Sequence, residues 1–157
     1  MEKNLQASKS ILAKLLASEN ITVSHQNVKT AYFDLKNRTM VLPVWKDMDG
    51  DLYDLLTGHE VGHALFTPDE DWTNQVKIPP QFVNIVEDAR VEKMMKRKYA
   101  GLAKTFFNGY RELNEEDFFQ VADEDISTFN LADRANLYFK IGNFISLDFK
   151  PEEKEII

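Results

Sequence analysis

The chain has 157 residues, 26 acidic against 19 basic, with a formal net charge of −7, a pI near 5.0, 43% hydrophobic and 29% charged side chains and no cysteine. That length suits one domain with a sizeable core; the acidic balance argues against generic nucleic-acid binding, and the lack of thiols excludes disulfide frameworks and thiolate zinc fingers. No apolar run approaches the ~20 residues of a membrane span and no tripartite leader opens the chain, so a cytosolic protein with no membrane partner is expected.

Residues 2–18 place Leu5, Ile11, Leu12, Leu15 and Leu16 at helical spacing, which predicts an opening amphipathic helix. Three β-like runs follow at 21–25, 30–35 and 39–44, with Asn37-Arg38 as a hairpin turn between the last two. Pro43 cannot donate to a ladder, so the third run reads as an edge strand able to offer backbone groups to an extended peptide.

The segment 52–66 has apolar residues at helical spacing, with Asp51 as N-cap and Thr67-Pro68 ending the pattern. Within it lies His59-Glu60-Val61-Gly62-His63, of the form HExxH. Residues four apart on a helix share a face, so both imidazoles can hold one metal ion, and Glu60 can act as general base on a water at that ion. The competing reading is a helix that merely carries two histidines. Gly58 and Gly62 each cost a helix about 1 kcal/mol relative to alanine, a local penalty that close approach of another element would explain.

Residues 67–80 form a loop with Asp69, Glu70, Asp71 and Trp72, long enough to serve as an active-site rim. A second strong helix is predicted at 81–98, shorter pieces at 102–110 and 115–122, the latter capped by Asn114, and a longer helix at 131–147. Strands followed by helices give an α+β fold, mainly helical with a small N-terminal antiparallel or mixed sheet. Residues 1–150 read as one domain. Lys150-Pro151-Glu152-Glu153 looks like another helix beginning, so 151–157 is either a tail or the start of a further helix or linker in a longer polypeptide.

Two histidines do not complete a catalytic zinc site, which takes three protein ligands and leaves one position open. His25, the only other histidine, reads as a packing residue on a strand. On the second helix Arg90, Lys93, Lys96 and Arg97 mark the solvent face, and Asn84, Asp88, Val91 and Met95 lie opposite, with Glu87 and Glu92 on the flanks. Acids that point away from water need a cation. Asp88 faces inward most directly and Glu87 is the longer alternative; both stay open as the third ligand, against the plainer reading of surface pairs with Arg90 or Lys93. Glu92 stands where it could orient a ligating histidine.

The HExxH stretch followed by Asn84-Ile85-Val86-Glu87-Asp88-Ala89-Arg90-Val91-Glu92 resembles the zincin-like metallopeptidase domains of tailed-phage proteins, which are related to predicted peptidases with a von Willebrand factor A domain downstream. The likeness is strongest over 32–110. It implies zinc held by His59, His63 and Glu87 or Asp88, water activation by Glu60, a protein or peptide substrate, the cytoplasm of an infected bacterial host, and an A domain following Ile157. Tyr110 and Arg111 are further candidates for stabilising an oxyanion. The rival expectation is a zincin-shaped binding or regulatory module that docks a phage or host partner through the acidic run 112–125.

Overall fold

The computed structural model describes residues 6, 9, 12–14, 16–45, 50–70 and 75–157. The described residues between 6 and 17 are helical; Leu5, Ile11 and Leu15 of the predicted opening helix lie outside the described residues. Strands β1 (Thr22–Gln26), β2 (Tyr32–Asp34) and β3 (Thr39–Pro43) form a mixed sheet in the order β1-β3-β2, with β1 parallel and β2 antiparallel to β3.

The β2–β3 hairpin forms where Asn37-Arg38 was expected to turn. Asp34 accepts from the backbone N–H groups of Lys36 and Asn37 at 3.1 and 3.0 Å, and Arg38 takes a φ of 50°. Arg38 then donates to the carbonyl of Ala64 at 2.7 Å and pairs with Glu19, which ties the turn to the end of the following helix.

The third run is not the edge strand that Pro43 suggested; β3 is central. N–H groups alternate sides along a strand, and Val44 donates to Gln26 at 3.1 Å on the β1 side. The nitrogen of Pro43 therefore points toward β2. That strand has already ended, since Tyr32 pairs with Val41. The missing donor costs no ladder bond, and the edge beside the site is β2.

Helix α1 (Gly50–Phe66) carries the HExxH residues through the middle of the fold, with Leu52, Leu55 and Val61 almost fully buried. Asp51 falls inside its first turn rather than at a cap, and accepts from Asn108 at 3.1 Å. Helix α2 (Pro80–Lys98) crosses α1 at Gly62, and α3 (Leu102–Glu115) crosses it at Gly58. A Cβ on Gly58 would stand 2.8 Å from the Phe106 ring, and one on Gly62 would stand 3.0 Å from Met95 and 3.2 Å from Val91. Both glycines thus let neighbouring helices approach the motif, which offsets their helix penalty.

The predicted helix 115–122 is absent. α3 runs on through Asn114, and Asp117 and Gln120 adopt left-handed backbone with φ of 51° and 57°. The Asp117 carboxylate accepts from the backbone of Val121 and Ala122, so a short polar side chain competes with helical bonding there. Helix α4 (Leu131–Ile141), capped by Asn130, ends at Ile141 with Gly142 as C-cap, six residues earlier than 147. Helix α5 (Pro151–Lys154) is the helix beginning seen in the sequence, and Glu153 folds back to Arg134 of α4 at 2.8 Å. Among the described residues no helix is long and apolar enough to cross a membrane.

Candidate metal centre

His59 and His63 lie one turn apart on α1 with their rings nearly edge to face, centroids 4.9 Å apart. Their Nε2 atoms approach to 3.2 Å. Asp88 of α2 brings Oδ1 to 3.1 Å from His63 Nε2 and 3.4 Å from His59 Nε2. Among the described residues these three form the group of side chains able to share an ion.

The far nitrogen of each imidazole is already committed. His59 Nδ1 lies 2.7 Å from Glu92 Oε1, an acceptor, so Nδ1 carries the hydrogen. His63 Nδ1 lies 2.8 Å from Thr67 Oγ1. Thr67 gives its one hydroxyl hydrogen to Glu87 Oε1 at 2.7 Å, so toward His63 it accepts. When neutral, both rings are thereby held as Nδ1–H tautomers whose Nε2 lone pairs converge with a carboxylate oxygen.

Three acceptors facing one another repel unless a cation joins them. Zinc bonded at about 2.0–2.2 Å to tetrahedral ligands sets ligand atoms roughly 3.3 Å apart. The three separations here, 3.1 to 3.4 Å, match that edge length. The nitrogen and oxygen donor set also suits zinc, so the residues fit the group.

Protonation tells the same story. Burial opposes charge on His59, but Asp88 and Glu92 outweigh it and raise the imidazole to about 10. Burial would likewise raise Asp88, yet imidazoles protonated at Nε2 donate to it and hold it well below the carboxylate range. Without an ion, a proton on His59 is thus the cation that joins these acceptors, a place that a metal ion would take.

Glu60, 6% exposed, is raised by burial, partly countered by His59 and His63. It lines a cleft of about 370 Å³ together with His59, His63 and Asp88. The apolar wall comes from Tyr32 and Phe33 of β2, Leu55 of α1, Leu113 of α3, and Phe118 and Phe119. Among the described residues the rim is built by 30–33, Leu35 and 118–119, not by the 67–80 loop; Asp71 and Trp72 lie outside the described residues.

Glu87 is not in the ligand group. Successive residues on a helix diverge by about 100°, so only one of the adjacent acids can face the histidines. Glu87 turns instead to Arg90, whose guanidinium donates to it at 2.6 and 2.8 Å, and through Thr67 it fixes the His63 ring. Asn84 is exposed rather than inward. Of the two oxyanion candidates, Arg111 is exposed and away from the cleft, whereas Tyr110 lines it and donates to Glu92. His25 packs on Tyr53, ring centroids 5.8 Å apart, away from the site.

Two site residues escape the sequence reading. Thr67 carried a findable signal, standing four positions after His63 at the end of the same helix. Lys140 carried none: it comes from α4 and places Nζ 3.4 Å from Asp88 Oδ2. Compared with family models, curated proteins and solved structures, the chain matches none of them.

Proposed function

We propose that this chain is a zinc-dependent hydrolase of peptide bonds, in which His59, His63 and Asp88 hold the ion and Glu60 is the general base. The observation that carries the reading is the convergence of two Nε2 lone pairs and one carboxylate oxygen at tetrahedral edge spacing, with each Nδ1–H engaged elsewhere. A zinc ion bound there supplies a charge that acidifies water to about 7 and polarises a carbonyl.

The protein's own groups do the rest. Glu60, buried and raised, takes the proton from the attacking water and passes it to the departing amine. Glu92 and Thr67 keep the two imidazoles in the tautomer that leaves Nε2 unprotonated. The apolar wall of the cleft excludes solvent and accepts an apolar side chain beside the scissile bond. Strand β2, which pairs on one side with β3, leaves its other edge beside the cleft for an extended peptide.

The small sheet, the helix with the histidine pair and the following helix that brings an acid support a zincin-like fold. The likeness to phage metallopeptidase domains belongs to the same reading, as do a downstream A domain and a cytoplasmic setting in an infected host.

Protein purified without chelator should contain about one equivalent of zinc. Glu60→Gln should keep that zinc and lose cleavage of an unfolded protein substrate. Metal-free wild-type protein would refute the centre, and unchanged turnover in Glu60→Gln would remove Glu60 from the mechanism.

A further inference from the structure

The two oxygens of Asp88 are chemically equivalent until their surroundings distinguish them. Oδ1 faces the histidine nitrogens at 3.1 and 3.4 Å. Oδ2 faces Lys140 Nζ at 3.4 Å. The Lys140 side chain is held rather than waving in solvent: it is 22% exposed and lines a small gap with Ile85, Ala89 and Asn136 between α2 and α4. Its charge also acts on Glu60, and the side chain lines the cleft.

Charge balance gives this lysine a purpose. Asp88, Glu60 and Glu92 gather three carboxyl groups around the histidine pair. A divalent ion offsets two ionised carboxylates, and one ammonium offsets the third. A partly buried centre with an unbalanced charge is costly, so a cation beside the acidic ligand is physically motivated.

Resting on the zinc-centre reading above, we infer that Lys140 is a positioning residue: its ammonium retains Asp88 Oδ2, so that Asp88 offers the ion Oδ1 alone. A one-oxygen carboxylate leaves the fourth position of a tetrahedral ion open for water. If both oxygens closed on the ion, coordination would rise and that position would be crowded.

Cobalt(II) added to the metal-free 157-residue chain reads this out without any assay of hydrolysis, because its visible bands are intense in four-coordinate tetrahedral sites and weaker at higher coordination. Lys140→Met and Lys140→Gln should bind Co²⁺ with bands weakened roughly twofold or more, as expected for an extra ligand atom. Lys140→Arg, which keeps the charge, should retain the wild-type bands. Circular dichroism of each variant confirms folding, and two neutral substitutions guard against one that fails to fold. Unchanged bands in both neutral variants would overturn the role of Lys140 while leaving the metal centre standing. Bands weakened in Lys140→Arg as well would overturn it in favour of simple packing. A folded wild-type protein that binds no Co²⁺ would instead overturn the metal centre itself, and this inference with it.

Discussion

Tyr110 and His59 lie on different helices yet share one acceptor: both donate to Glu92 Oε1. The tyrosine hydroxyl is deeply buried, and burial together with Glu92 keeps its pKa well above the ordinary value, so it remains a donor. It holds the oxygen that in turn holds the histidine ring.

Tyr110→Phe should therefore fold and still bind zinc, with affinity reduced about tenfold or more. A stability loss of about 1 kcal/mol should accompany it, the worth of one hydrogen bond. Competition against a chelator measures the first and urea unfolding the second. Wild-type affinity in the folded variant would show that Glu92 needs no help to orient His59.

The adjacent acids of α2 should separate cleanly. Asp88→Ala should lose zinc on purification, since it deletes an atom of the converging triplet. Glu87→Ala should keep the ion, with affinity falling about tenfold because Thr67 is then released from its fixed orientation toward His63. Elemental analysis of the two proteins decides it. The reverse order would return Glu87 to the ligand set.

Gly58 tests the crossing of α1 and α3. Alanine gains about 1 kcal/mol of helix propensity but overpacks against Phe106, a clash that typically costs about 1–3 kcal/mol. Gly58→Ala should thus be destabilised by up to about 2 kcal/mol in denaturant unfolding. Combining it with Phe106→Leu should cost less than the sum of the single changes, because the shortened side chain makes room. A more stable Gly58→Ala protein would mean that the helices do not approach there.

The C-terminal turn should be sensitive to acid. Arg134 first, then the Lys150 backbone N–H, depress the Glu153 carboxyl from 4.5 to about 2. A depressed carboxylate contributes stability above its unfolded pKa, and that contribution fades as pH falls through the folded value. Docking of α5 should accordingly weaken between pH 4.5 and about 2. Amide exchange of Ile156 and Ile157 follows this loss, and in Arg134→Gln the same pH window should have little further effect. Equal pH dependence in both proteins would assign the fraying to some other group.

Local periodicity determined a good part of this protein. Four-residue spacing put His59 and His63 on one helical face, and the hairpin turn at Asn37-Arg38 and the two costly glycines of α1 were visible because each is a property of neighbouring residues. Helical period also pointed the inner face of α2 at a cation, though it left Asp88 and Glu87 as rivals. That choice depends on where α2 crosses α1, and the crossing is set by Val91 and Met95 against Gly62. The central place of β3 was hidden for a related reason, since Pro43 is harmless only because its partner strand stops short. Lys140 comes to Asp88 from a helix 52 positions onward in the chain, a distance over which no spacing rule operates. Sequence alone settled which side chains share a helix face; only tertiary packing decided which faces meet, because those meetings follow from side-chain volumes at contacts far apart in the chain.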